Sequence, residues 1–202
     1  MDTSALFKIG YGLYVLTAMD QDKHNGCIIN TLQQLTSDPL RISITVNKAN
    51  FTHDMILRSG EFNVSILSEQ ATFDLFKHFG FQSGRTAEKI AGQWDLMGWA
   101  DNGLSYVKTA AANAYLSAKV FQTVDLGTHT MFIADLTDAK SLSDTPSATY
   151  SYYHAHIKPK PEKKASGGWR CKICGYVHEG NELPADFVCP LCKHGAVDFE
   201  KI

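Results

Sequence analysis

Between residues 40 and 46 apolar and polar side chains alternate, with Leu40, Ile42, Ile44 and Val46 on one side and Arg41, Ser43 and Thr45 on the other. A period of two marks a strand with one buried face, because successive side chains of an extended chain point in opposite directions. Phe62, Val64 and Ile66 repeat the pattern. Further strands are predicted at Tyr14 to Ala18, Ala114 to Val124 and Thr130 to Leu136. Helical spacing is brief, at Ala5 to Ile9, at Thr52 to Arg58, and at Phe73, Phe76 and Phe79 behind a Ser68 cap. Many strands with a few short helices predict a mainly β fold closed as a barrel.

The alternation stops near residue 157. Lys158-Pro-Lys-Pro-Glu-Lys-Lys-Ala-Ser-Gly-Gly168 carries prolines, charges and small residues without apolar periodicity. It reads as a semi-extended linker over 158–167, dividing a first domain (1–157) from a small second one (168–202). A length of 202 residues, 44% hydrophobic and 20% charged, suits one ordinary globular domain plus a small module. No apolar run approaches the eighteen or so residues of a spanning helix, and the first residues show no leader pattern, so a cytoplasmic protein with no membrane partner is expected. From residue 168 onward four Lys/Arg face five Asp/Glu. That leaves no basic face for nucleic acid. Internal repeats and a glycine-rich dinucleotide loop are both missing, so NAD(P)H, if used, binds in another way.

The cysteines carry the sharpest signal. Cys171, Cys174, Cys189 and Cys192 form two Cys-x-x-Cys pairs, a spacing for one tetrahedral site made of two knuckles. Four thiolates suit zinc or iron alike and disfavour only hard cations. Gly175 can take the positive φ that folds a knuckle back on its sulfurs, and Pro190 stiffens the other. Trp169, Tyr176, Phe187 and Phe199 supply the aromatic core that so short a module needs beside its metal. The fifth cysteine, Cys27, has no disulfide partner left and reads as a buried apolar filler. The flanks, Trp169-Arg-Cys-Lys-Ile-Cys-Gly-Tyr-Val-His and Leu-Pro-Ala-Asp-Phe-Val-Cys-Pro-Leu-Cys, resemble rubredoxin in the short form found at the end of rubrerythrins. The resemblance implies one iron. Lys193 stands where many rubredoxins have glycine.

A second constellation lies at Asn47-Lys-Ala-Asn-Phe-Thr-His53, a polar turn between a strand and a helix. Its N–H groups, with Lys48, Asn50, Thr52 and His53, form a candidate anion site, against the plainer alternative of a helix cap beside a solvated lysine. Phe81, Ser83, Arg85 and Lys89, the last one helical turn beyond Arg85, form a second cluster for the same anion. Arg85 has the alternative of pairing with Glu88 on the surface.

Gly12-Leu-Tyr-Val-Leu-Thr-Ala, Asn30-Thr-Leu-Gln-Gln-Leu-Thr-Ser-Asp-Pro39, the turn just described and Ser59-Gly-Glu-Phe-Asn-Val-Ser-Ile66 resemble the flavin reductase family over about Ala5 to Lys158. That resemblance implies an FMN-binding split barrel, usually a homodimer, with the flavin phosphate at the Lys48 turn. It also implies that Asn30, Thr31, Gln33, Gln34 and Thr36 line the isoalloxazine ring, where amides tune a flavin's potential; solvent-facing glutamines on a strand end are the alternative. His154, after two tyrosines, is the candidate residue facing flavin or nicotinamide. No general base is evident, and hydride transfer needs none. The whole chain resembles the high-molecular-weight rubredoxins of anaerobes. This implies electrons moving from NAD(P)H through FMN and Fe(Cys)₄ to a partner, a flavodiiron O₂ or NO reductase in oxidative or nitrosative stress. Alternatives are an electron carrier reduced by another protein, and a flavin or ferric reductase with a structural zinc ribbon.

Overall fold

The computed structural model describes residues 2–159, 168–173, 175–190 and 194–202. A 3₁₀ turn, Thr3–Lys8, precedes the hairpin of β1 (Tyr14–Asp20) and β2 (Lys23–Ile29). A second hairpin, β3 (Gln33–Ser37) and β4 (Leu40–Asn47), leads into α1 (Phe51–Ser59), β5 (Glu61–Leu67) and α2 (Phe73–Gly80). The small hairpin β6 (Met97–Trp99) and β7 (Ser105–Val107) is followed by the long strands β8 (Ala112–Asp125) and β9 (His129–Ser141). One short turn of helix, α3 (Tyr150–Tyr152), continues into a π-turn, Tyr153–Ile157.

Seven of these strands form one antiparallel sheet in the order β2-β1-β5-β8-β9-β4-β3. The sheet curls on itself: Cys27 and Ile29 of β2 share a core with Ile42, Ile44 and Val46 of β4, although the two strands lie toward opposite ends of the order. Phe62, Phe132, Met55 and Ile56 fill that interior, all 1% exposed or less. Close to the seam, the Thr31 hydroxyl donates to Thr45 O at 2.7 Å and accepts from Thr45 N at 3.2 Å, which substitutes for a ladder rung between the end of β2 and β4. The mainly β barrel expected from the alternation is thus present. Its strands are more deeply buried than the alternation suggests, because α2 and the 97–107 hairpin cover the outer face of β1. Leu16 and Ala18 point to the inner cluster, Leu13 and Val15 to an outer one with Leu75, Phe76 and Phe79.

Ser68 does not cap α2. Thr72 occupies the N-cap position, whereas the Ser68 hydroxyl donates to Ala110 O and accepts from Gln70 N, holding the preceding turn. No helix among the described residues is long and apolar enough to cross a membrane.

The C-terminal residues form their own three-stranded sheet, β11 (Val177–His178), β10 (Trp169–Cys171) and β12 (Phe199–Lys201) in that spatial order. Its core holds Cys171, Cys189 and Phe199, packed by Trp169, Tyr176 and Phe187, so the expected aromatic set is the observed one. The Phe187 ring meets Phe199 edge-on at 5.3 Å.

Candidate functional sites

The turn after β4 is knitted from its own side chains. Asn50 is the N-cap of α1, its side chain accepting from Thr52 N at 3.0 Å. Thr52 is buried, and its hydroxyl accepts from Asn25 Nδ2 at 2.9 Å. His53, also buried, bridges Asp54 (Nδ1 to Oδ1, 3.1 Å) and Thr130 (Nε2 to Oγ1, 2.9 Å) with its ring against Phe132. Lys48 lies apart from this knot on the surface, its ammonium 2.7 Å from Asp125.

The second cluster folds onto the first. Arg85 Nη2 donates to Asp54 Oδ2 at 2.6 Å, and the guanidinium lies 5.0 Å from the centre of the Phe51 ring. The alternative Arg85–Glu88 pair does not form; Glu88 pairs with Lys23 at 3.3 Å. Ser83 Oγ accepts from Arg85 N at 3.2 Å, and the Phe81 ring packs edge-on against Phe73. Gly84 passes so near Asn25 that a Cβ there would sit 2.2 Å from Asn25 Oδ1. Asn25, which sequence reading passed over, thus joins the two clusters. Burial pulls the Asp54 pKa upward, but hydrogen bonds from His53 and Arg85 outweigh it and leave the carboxyl below its ordinary value.

Lys89 differs from expectation. Residues 82–89 are turns and bends, so Lys89 is not one helical turn above Arg85. Its ammonium is buried, donating to Gly26 O (3.0 Å) and Phe79 O (2.9 Å), and burial pushes its pKa down. It staples the loop to β2 and α2 from within. Cys27 lies in the inner core, its thiol pushed up by burial and moderated by Thr52, Lys89 and Asn50.

Residues 30–36 run beside β4 in the register Gln33 to Ser43 and Gln34 to Ile42, with a bulge between Gln34 and Thr36. Asn30 is half-buried at the end of β2. Gln33 and Gln34 are exposed and make only local amide contacts, to Gln34 O and Thr36 O. The Thr36 hydroxyl bonds Pro39 O within the hairpin. The glutamines, with Leu32, Tyr14, Gly12 and Arg41, line a cavity of about 440 Å³. From Asn47 to Ser43 the strand advances roughly 13 Å at ~3.3 Å per residue. β4 therefore works as a ruler, with the α1 turn at one end, Thr31 against Thr45 part-way, and the glutamine-lined cavity at the other. Polar donors at the turn and an apolar cavity with amide edges form a donor set that fits a phosphorylated, ring-bearing cofactor.

His154 is surface-exposed on the π-turn, its ring 4.6 Å from that of Tyr150. Partial burial, and then the Lys158 charge, push its pKa down. It lines a cavity of about 540 Å³ with Tyr11, Gly12 and Tyr150.

In the C-terminal sheet the two described cysteines are buried, Cys171 at 1% and Cys189 at 0% exposure. Gly175 N donates to Cys171 O at 2.9 Å, with Gly175 at φ +82°, and Cys189 N donates to His194 O at 2.8 Å. Cys174 and Cys192, the second member of each pair, lie outside the described residues. Two buried thiols, each beside such a backbone bond, fit a thiolate-held metal.

Residues 6–160 match the flavin reductase like domain and residues 169–200 the rubrerythrin, rubredoxin-like domain. The chain belongs to the flavin reductase family and carries a C-terminal rubredoxin-like domain. It is 37% identical to the high molecular weight rubredoxin of Moorella thermoacetica across 100% of both chains. It is 38% identical to the ferric-chelate reductase (NAD(P)H) of Archaeoglobus fulgidus, over 82% of this chain and 96% of that one. Among solved structures, the flavin reductase PheA2 in its native state superposes with a TM-score of 0.61 at 21% identity, covering 89% of this chain and 98% of the other. Flavoredoxin from Methanosarcina acetivorans gives 0.59 at 18% identity, over 69% and 75%. These likenesses establish an oxidoreductase of the flavin reductase family on a split barrel, and its two domains imply flavin and iron as cofactors.

Proposed function

We propose that the chain is an NAD(P)H:rubredoxin-type oxidoreductase that feeds a partner protein, a flavodiiron O₂ or NO reductase, in the cytoplasm of an anaerobe. The domains would divide at 1–157 and 168–202. Bound FMN supplies the conversion between hydride and single electrons that an iron–thiolate centre cannot perform, which gives the two domains a reason to share one chain. The observation that carries the reading is the alignment along β4 of an anion-suited turn, with Asn50, Thr52 and Arg85, and a cavity edged by Gln33 and Gln34.

Within it, Arg85 and the α1 turn hold the phosphate, and Thr31 and Asn30 flank the middle of the molecule. The Gln33 and Gln34 amides meet the ring edge. Asp54 keeps Arg85 directed over α1. Cys171, Cys174, Cys189 and Cys192 hold the iron. The exposed apolar residues Leu35 and Leu40 on the β3–β4 edge, with Phe121 nearby against Arg41, suit a homodimer contact. Similarity to the Archaeoglobus protein favours a second reading, reduction of ferric chelates with a structural zinc in the thiolate site. Anaerobic visible spectra of protein carrying its native metal and FMN, before and after NADH, separate the two. Bleaching of both flavin and ferric–thiolate bands supports the relay. Flavin bleaching with stoichiometric zinc in protein from iron-replete cells overturns it in favour of the second reading.

A further inference from the structure

The turn at the end of the barrel domain reaches the metal module. The π-turn Tyr153–Ile157 is closed by Lys158 N donating to Tyr153 O at 2.8 Å, a wider turn than an α-helix makes and one often found at functional positions. It places the Lys158 ammonium on the carbonyl oxygen of Ile173, inside the Cys171–Cys174 knuckle. A cavity of about 280 Å³ lies at this junction, lined by His154 and Lys158 on one side and by Arg170, Cys171, Gly175 and Glu200 on the other.

That cavity is not isolated. It shares His154 with the 540 Å³ cavity beside Tyr150, which in turn shares Gly12 with the glutamine-lined cavity of 440 Å³. Three neighbouring cavities with shared wall residues therefore lie between Gln33 and Gln34 at one end and the knuckle of Cys171 at the other.

We propose that the Tyr150–Lys158 segment is a docking site for the chain's own metal module, anchored by Lys158 on the Ile173 carbonyl, and that it sets the face through which the iron is reduced. The inference rests on the relay reading above for its purpose, though not for its geometry. Tethering supplies the concentration: a module joined by a short linker meets its docking site without a bimolecular search. The chemistry of the anchor is also suited to the step. An iron held by these thiolates would make the centre one unit more negative on taking up an electron, and an ammonium on the knuckle would favour that state. Lys158 is therefore a positioning residue whose removal changes the potential as well as the rate.

The test uses full-length protein and Lys158→Glu, with Lys158→Gln as a milder variant should the first fold poorly. In the zinc-substituted form, ¹⁵N relaxation and amide shifts report docking without any redox chemistry. Wild type is expected to tumble as one body, and Lys158→Glu to shift the Lys172 and Gly175 amides and free the module. In the iron form, the variant is expected to leave NADH reduction of FMN unchanged, to slow iron reduction at least about fivefold, and to lower the midpoint potential of the iron. A wild-type module that tumbles independently, with no shift at Lys172 or Gly175 on substitution, overturns the proposal. Should NADH fail to reduce the flavin, the relay reading falls while the zinc-form spectra still decide the docking.

Discussion

Arg85 donates to Asp54 at 2.6 Å across 31 positions of sequence, which pins the 82–85 loop onto the first turn of α1. The same guanidinium is placed over the Phe51 ring, so its charge is held at the helix N-terminus, where the backbone dipole also favours an anion. Removing it should weaken FMN and spare riboflavin, which lacks the phosphate. One charge-assisted hydrogen bond is worth about 1.5–3 kcal/mol, so Arg85→Met is expected to raise the FMN Kd roughly tenfold or more. Fluorescence titrations with both flavins check this, and an equal loss for riboflavin would place Arg85 elsewhere than on the phosphate.

Asp54 predicts an acid limb. Its carboxyl lies below the ordinary value despite burial, because His53 and Arg85 stabilise the charged form. A lowered native pKa means that stability is fully present above the unfolded value of 3.8 and is lost as pH falls through the native one. Asp54→Asn should therefore melt below wild type at neutral pH, with the gap narrowing below about pH 4. Melting curves from pH 7 to pH 3 test it. A constant gap would mean that the contribution of Asp54 does not depend on its charge.

Gly84 makes a close approach that no side chain permits. A Cβ there would lie 2.2 Å from the buried Asn25 Oδ1, so Gly84→Ala must displace the side chain that donates to Thr52. Orphaning such a buried partner costs about 1–3 kcal/mol, a drop of several degrees in Tm for a domain of this size. In an Asn25→Ala background the same change should cost much less, because the clash has gone. Additive losses in this cycle would disprove the coupling.

How much of this was readable beforehand follows from where each residue gets its constraint. β4 and β5 announced themselves, since Ile42, Ile44, Val46, Phe62 and Val64 are set by burial on one core. The β2 strand did not: Lys23, His24, Asn25 and Gly26 show no alternation, because Asn25 is buried to serve Thr52 and Gly26 to admit the Phe79 ring, at 3.0 Å from its would-be Cβ. Both are tertiary demands with no local trace. β3 was hidden for the opposite reason, as all five of its residues are exposed. At the candidate anion site, Asn50 and Thr52 were legible as a capped turn, whereas Lys89 was misjudged: a lysine in sequence reads as a surface charge, and only the carbonyls of Gly26 and Phe79 explain its burial. The thiolate spacing needed no tertiary knowledge, because two short turns define most of such a site.

Removal of the metal should separate the two domains energetically. Among the described residues the C-terminal core consists of Cys171, Cys189 and Phe199 with a handful of partly buried neighbours, and its strands are two or three residues long. So little apolar area does not offset the chain entropy of some 35 residues, at about 1.5 kcal/mol each, without a staple. The barrel, by contrast, has two large cores and a seven-stranded sheet of its own. Chelation, or Cys189→Ser, is therefore expected to abolish amide protection in residues 168–202 and to expose Trp169, while the main melting transition of the barrel and its FMN affinity stay where they were. Hydrogen exchange on apo and metal-loaded protein decides the matter. Retained protection at Cys171 and Phe199 without metal would show that the aromatic core suffices, and a shifted barrel transition would show that the two domains fold as one unit.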